Sequence, residues 1–511
     1  MTFFESLLAL LLAAIVLLQG ARRLSLPYPA MLAAAGVVVA LIPGSPTILI
    51  DPQTALALFI APVLLDSAFD YPVGAAWRLW RPLVVLALVA VLVTTAVVAT
   101  IGVAFAGLPL AAAVVLGAIV APPDAAAATA VLGTVSLPRS TTAVLKGESL
   151  FNDATALLLF GGALAVQANG GLDAAVGLRL ALAAPGGVLL GMALAHVSLR
   201  VSPAVSGTLG GNILQFVSAF LFWIVAEHLQ LSAVLAVVAF AMTIASSRAV
   251  RGSPRMRVHS YAVWATVVFL LNVLAFLLMG MQARTIVGRM PPERLAQAAW
   301  FVALVIIAVI VVRLVIVILF NRLARRFAVL RGDIEPATLR QGVLVGWAGM
   351  RGLITLATAF ALPGDFPQRD VVVLTAFGVV LATLIVQGLT LAPLIRLLKL
   401  DRMESLEEEL AAARVGLADA GAATLDGQAN AEAERWRLNY AVYRDAASGC
   451  PERWLRYRDL GLATIAAERD ALDRMRDTHA IGAEAYETLQ EGLDWRELSL
   501  LPDEDRRMEE S

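Results

Sequence analysis

The chain has 511 residues, 59% of them hydrophobic and only 15% charged, with a formal net charge of -1 at pH 7. A soluble domain is nearer half apolar and a quarter charged, so the composition excludes an ordinary water-soluble fold. The single cysteine, Cys450, excludes an intrachain disulfide and any cysteine-based metal site.

Apolar runs of about 20 residues, each long enough to cross a bilayer as a helix, recur along the chain. Thirteen spans can be drawn, starting near residues 3, 29, 48, 82, 109, 143, 173, 210, 231, 261, 295, 339 and 370. The first, Phe3 to Gln19, begins with Glu5 rather than a basic cluster and lacks an obvious cleavage site, so it reads as a retained span and not a secretory signal. Short connections carry glycine and proline, as in Pro43-Gly44-Ser45-Pro46 and Pro363-Gly364.

Arginine and lysine orient these spans. With the N-terminus outside, the cytoplasmic loops hold Arg22, Arg23, Arg78, Arg81, Arg139, Lys146, Arg200, Arg248, Arg251, Arg255, Arg257, Arg322, Arg325, Arg326, Arg331 and Arg340. The outer loops hold only Arg179, Arg284, Arg289, Arg294 and Arg369, a bias that places the C-terminal tail in the cytoplasm. After Leu400 the composition turns polar. Segments such as SLEEELAAARVGLADA carry apolar residues at helical spacing among charges, with a break around Gly421 to Asn430. The domain reading is therefore a transmembrane domain over 1–400 and a soluble, mostly helical tail over 401–511.

Ionisable residues inside spans are costly in lipid and become candidate functional groups. Asp66 lies in LFIAPVLLDSAFD of the third span, Asp124 in GAIVAPPDAAAATAV of the fifth, and Arg351 in VGWAGMRGLITLATAFAL of the twelfth. The sixth carries Glu148, Ser149, Asn152 and Asp153 in GESLFNDATALLLF. Arg313, in VVRLVIVILF, reads as an arginine that snorkels to the interface.

Pro122 and Pro123 break the fifth span, leaving the carbonyls of Ala118 and Ile119 without helix partners, and Asp124 follows directly. Gly346, Gly349 and Gly352 offer a second break around Arg351. Taken as two groups of six spans around the seventh, the halves place both interruptions in their fifth helix, the pattern of an inverted-repeat transporter with a midplane site. On a helix Ser149 and Asp153 share one face, and Glu148 and Asn152 the neighbouring one. Arg351 is the expected partner of Glu148, since a buried arginine left alone is expensive.

These motifs resemble the monovalent cation:proton antiporters, specifically the NhaP and sodium/proton exchanger branch. GES-hydrophobic-hydrophobic-NDA carries the resemblance, with Asp124 upstream at the required spacing, LLDSAFD in the place of the third-helix acidic motif and GMRG in that of the arginine motif. The likeness covers about residues 5 to 400. It implies an all-α membrane protein of about 13 transmembrane helices, two of them discontinuous, with a helical cytoplasmic tail. It implies that Asp124 and Asp153 hold the cation or the proton, with Ser149 as a hydroxyl ligand of the metal ion, Pro123 as a carbonyl and Asp66 approaching through water. Asn152 would join the broken helices, and Glu148 and Arg351 would form a supporting ion pair. Many relatives have a threonine where this chain has Pro123.

The implied function is antiport of a monovalent cation, sodium before lithium or potassium, against protons by alternating access, with no further cofactor. Helices 4 to 6 and 11 to 13 would move against a dimer-forming remainder. Relatives with Asn-Asp, as here, tend to be electroneutral, so one cation per proton is expected. The expected setting is a bacterial inner membrane, as a homodimer among lipids, with no nucleic-acid partner. An acid-lined cation channel is the alternative, since channels also use acidic rings and irregular backbone. An enzyme is disfavoured: the spans contain no HExxH or GxSxG, and His196, His228, His259 and His479 do not cluster at metal spacing.

Overall fold

The computed structural model describes residues 28–39, 51–71, 73–124, 139–171, 174–205, 208–247, 254–327, 338–400, 406–447 and 451–501, with scattered positions between 12 and 20 and residue 330. The first expected span and the Pro43–Pro46 connection fall largely or wholly outside these residues. So do several basic loop positions, including Arg22, Arg23, Arg248, Arg251 and Arg331. The described elements are all helical. Contacts group the chain into two compact units, Met1–Asp401 and Arg402–Glu510.

In the first unit the helices are α1 Tyr28–Val39, α2 Pro52–Phe69, α3 Val73–Arg78, α4 Trp80–Ala106, α5 Leu110–Val120, α6 Arg139–Asn169 and α7 Ala174–Val205. They continue as α8 Leu209–His228, α9 Ala233–Ser246, α10 Pro254–Arg289, α11 Pro292–Arg326, α12 Leu339–Trp347, α13 Leu353–Phe360 and α14 Arg369–Leu398. Among the described residues six helical stretches are long and apolar enough to cross a membrane: 80–106, 143–169, 177–205, 260–289, 292–326 and 369–398.

Local chemistry sets many of the boundaries. The Asp51 carboxylate accepts from the Thr54 amide at 3.1 Å, with Pro52 at the first helical position of α2. Thr338 and Gln341 form a reciprocal capping box at the start of α12. Gly107, at φ 61, ends α4 in the left-handed conformation that glycine adopts without penalty. Along α11, Trp300, Ile307, Val311, Val315 and Leu319 are exposed, while Phe301, Val305, Val309, Arg313 and Val317 are buried. That apolar outer face suits lipid, because every backbone polar group is already satisfied within the helix.

Several described helices are too short to span, and three of them, α5, α12 and α13, border the two interruptions. α5 has 11 residues, α12 has 9 and α13 has 8. At about 1.5 Å per residue each covers roughly 12–17 Å, about half of a hydrocarbon core. α12 and α13 are separated by the non-helical Ala348–Gly352. α5 stops at Val120, ahead of Pro122 and Pro123. α5 packs against α4, α6 and α13, while α13 also packs against α2, α10 and α14. The two interruptions therefore meet inside the bundle.

The second unit holds α15 Leu406–Ala423, α16 Ala431–Ala447, α17 Pro451–Asp477 and α18 Ala483–Leu500. Each packs chiefly on the next in sequence. Ile465, Leu472, Leu493 and Leu500 form a small core between α17 and α18. Arg469 bridges Asp494 and Glu497 at 2.8 and 2.5 Å across the same pair.

Candidate functional site: two broken helices and two carboxylates

In an unbroken helix the Asp124 amide would bond to the Val120 carbonyl. Here it donates instead to Met350 O at 2.7 Å, in the unwound stretch between α12 and α13. The Val120 carbonyl accepts from Arg351 Nε at 3.0 Å, and Ala121 O accepts from Arg351 Nη2 at 3.2 Å. Arg351 Nη1 donates to Gly349 O. In return, Asp124 Oδ2 accepts from the amide of Leu353, the first residue of α13, at 3.1 Å. Each broken segment thus caps the other's half-helix. The guanidinium sits at the negative end of α5 and the carboxylate at the positive end of α13, the favourable placement for each charge.

The crossing tolerates no side chain at two positions. A Cβ on Gly352 would lie 1.8 Å from Asp124 Oδ2, and one on Gly349 would lie 2.1 Å from Arg313 Nε. These glycines, read from the sequence as a second break, also admit the charged groups themselves. The Arg351 amide is held from outside by Thr383 Oγ1 of α14 at 3.1 Å.

α6 supplies the second carboxylate. Asp153 is 4% exposed, and no hydrogen bond or ion pair joins its side chain to another described residue. The charges of Asp124 and Glu148 both act on it. Asn152, fully buried, donates from Nδ2 to Pro123 O at 3.3 Å and so ties α6 to the end of the broken α5. Pro123 keeps a second lone pair on that carbonyl. Ser149 is partly buried one turn before Asp153 on α6. Asp66 is partly buried on α2, which packs against both α13 and α6.

One expected pairing is corrected. Glu148 bonds to Arg313 and not to Arg351. Arg313 Nη1 donates to Glu148 Oε1, Nη2 donates to Oε2 at 3.1 Å, and Nη2 also reaches Val345 O at 3.0 Å. Both side chains are buried, at 4% and 1% exposure. Arg351 is held instead by the carbonyls of Val120, Ala121 and Gly349, and the planar fork of Arg313 matches the Glu148 carboxylate. The snorkelling reading of Arg313 fails with it. Arg313 lies 13 residues from the last residue of α11, about 20 Å along the helix, beyond the reach of its side chain. That distance was a signal available in the sequence. A second shift concerns the freed carbonyls: those that Arg351 takes are Val120 and Ala121, because the chain leaves the helix before the prolines.

A cavity of about 1070 Å³ is lined by α6 residues from Leu157 to Asn169, together with Asp51, Arg179, Trp223, Glu227 and His228. Leu157 is one helical turn beyond Asp153. Among the described residues no group of three or more His, Cys, Asp or Glu side chains could hold a metal ion. Any cation at the carboxylate pair would therefore complete its shell with hydroxyl, carbonyl or water oxygens, which hard cations accept.

The family model for the transmembrane sodium/hydrogen exchanger matches residues 8–397. The chain belongs to the sodium/hydrogen exchanger family. Membership and the long apolar helices make it an integral membrane protein of a transporter family. Among its relatives, the sodium, potassium, lithium and rubidium/H(+) antiporter of Bacillus pumilus is 30% identical over 385 residues, covering 72% of this chain and 57% of that protein. The chain thus spans little more than half the length of that relative. The Na(+)/H(+) antiporter NhaH of Halobacillus dabanensis is 30% identical over 353 residues, covering 67% of this chain and 82% of that one. The sodium proton antiporter MjNhaP1 of Methanocaldococcus jannaschii superimposes with a TM-score of 0.57 at 17% identity, over 76% of this exchanger-family chain and all of that structure. That likeness concerns the fold.

Proposed function

We propose that the protein exchanges a monovalent cation, sodium before lithium or potassium, for protons across a bacterial plasma membrane, with Asp153 and Asp124 as the shared binding groups. The observation that carries this reading is the state of Asp153. It is a buried carboxylate without a hydrogen-bonding partner among the described residues, one turn from a large cavity and within the field of a second carboxylate. Such a group is stabilised by binding either a cation or a proton, and the two then compete for it. Ser149 Oγ, the free lone pair of Pro123 O and Asp66, through water, complete the proposed cation shell.

Alternating access follows if the empty, doubly charged site crosses poorly and either loaded form crosses well. The broken helices suit that role because their termini are compensated within the crossing and can move with it. Asn152 keeps the position beside Asp153 neutral, and we assign an electroneutral exchange of one cation per proton. The remaining elements of the reading are thirteen spans in an inverted repeat, the N-terminus outside, a membrane domain over 1–400, a cytoplasmic tail over 401–511, and a homodimer. Family membership and the basic-loop bias support them.

The test is a panel of sodium, lithium and potassium gradients applied to reconstituted vesicles at several pH values, with internal pH as readout. Proton movement that strictly requires a counter-cation supports exchange. Proton or cation flux that persists without the counter-ion supports the channel alternative and overturns it.

A further inference from the structure

Gln387, in the middle of α14, is 0% exposed, and neither Nε2 nor Oε1 has a hydrogen-bond partner. A fully buried amide with both ends unmet is expensive, and such groups in native proteins are commonly satisfied by an ordered water.

The surroundings of Gln387 follow from its neighbours on the helix. Thr383 and Thr390 stand four residues before and three after it, on the same stripe. Thr383 Oγ1 accepts from the Arg351 amide at 3.1 Å, and Thr390 Oγ1 accepts from Trp347 Nε1 at 2.9 Å. The stripe therefore faces residues 347–351, where α12 ends and the chain runs unwound toward α13. Within that stretch Met350 O is taken by Asp124 N and Gly349 O by Arg351. Just before it, Val345 O is taken by Arg313. Among the described residues no backbone amide outside the helices bonds to the carbonyls of Gly346, Trp347 and Ala348. An acceptor-rich helix end thus lies opposite an amide that has one donor group and one acceptor to offer.

We propose that Gln387 and the C-terminal carbonyls of α12 hold an ordered water, and that Gln387 is a positioning residue for the carboxylate site. A cation is disfavoured there, because Arg313 and Arg351 already bring two guanidinium groups to this end of α12. Water satisfies both ends of the amide and bridges α14 to the segment that carries Met350 and Arg351. Those residues set the backbone on which Asp124 is hung. Gln387 therefore acts on ion binding through the Asp124 crossing, without touching the ion. This inference rests on the exchange reading above.

The experiment compares the unmodified protein with Gln387→Met and Gln387→Asn in vesicles, reading half-saturating sodium, maximal rate and the pH profile. Gln387→Met keeps length and removes the amide. It is expected to raise half-saturating sodium about tenfold and to displace the pH profile, with maximal rate kept within about twofold, as for other outer-shell partners of ion ligands. Gln387→Asn keeps a shorter amide that a further water can reach, and is expected to recover most of the affinity. An unchanged sodium requirement and pH profile in a folded Gln387→Met protein would overturn the proposal. So would a loss that Gln387→Asn does not recover. If Gln387→Met fails to fold, a density map of the unmodified protein at a resolution that shows water decides the matter. Density within hydrogen-bonding distance of Gln387 supports the site, and a dry amide overturns it. Absence of sodium-driven proton movement in the unmodified protein would instead sink the exchange reading, and the map would still report on the water.

Discussion

Arg313 of α11 grips the carboxylate of Glu148 on α6 with both terminal nitrogens, and both residues are almost wholly buried. The pair neutralises a charge that otherwise stands one turn from Asp153. In the proposed mechanism Glu148 is a structural group, although it shares the GESLFNDA stretch with the residues proposed to bind the ion.

Removing one partner of this pair strands the other in the core. Arg313→Met is expected to cost about 3–5 kcal/mol, and Arg313→Met combined with Glu148→Met much less, since the stranded charge is gone. Thermal unfolding in detergent checks this. A double-mutant cycle should give a coupling of about 1–3 kcal/mol for Glu148 with Arg313, and distinctly less for Glu148 with Arg351. Equal coupling to the two arginines would contradict the assigned pairing.

Asp153→Asn keeps the size of the side chain and removes its charge. The variant is expected to fold with normal thermal stability and to show no sodium-driven proton movement in vesicles. Normal exchange by the variant would refute Asp153 as the shared site.

Gly352→Ala would place a carbon 1.8 Å from Asp124 Oδ2. The crossing must then spread, at a cost of about 1–3 kcal/mol for overpacking, and Asp124 leaves the Leu353 amide. The expected result is weakened cation binding together with a lowered unfolding temperature. Gly364→Ala, with nothing within 4 Å of the added carbon, serves as the control and should behave as the parent protein. Wild-type sodium dependence in Gly352→Ala would show that the crossing is not needed.

Electroneutral exchange predicts that a potassium diffusion potential imposed with valinomycin leaves the sodium-driven rate unchanged when potassium itself is not transported. A rate that follows the potential, or a reversal point requiring more than one proton per cation, would refute the assignment.

The second unit has its own core and cross-helix ion pairs, so residues 402–510 expressed alone are expected to be helical and to unfold cooperatively. Arg469→Ala, at a partly exposed site bonded to Asp494 and Glu497, should cost about 0–1 kcal/mol. Circular dichroism with thermal melting checks both. A tail that melts without a transition would show that it depends on the rest of the chain.

Most described helices of the first unit begin within several residues of a start drawn from hydropathy, because a long apolar run announces itself, whereas α3 and α13 have no start of their own. The break at Pro122 and Pro123 was equally legible, since proline cannot complete the hydrogen-bond ladder in any context. The break at Gly349 to Gly352 was fainter. Glycine permits several outcomes, and only the incoming Asp124 and Arg313 side chains give these two a purpose.

By itself the sequence determined the polar inventory of the membrane part: one carboxylate after a proline break, a second on an intact helix, an amide beside it, one arginine that lipid could not solvate and a second, Arg313, that read as snorkelling. The tertiary structure alone decided who partners whom. Glu148 is 203 residues from Arg351 and 165 from Arg313, and chain order does not choose between them. The choice falls to hydrogen-bond supply. The end of α5 presents open carbonyls that match one guanidinium, Glu148 presents a two-oxygen fork that matches the other, and a buried donor goes wherever its acceptors are.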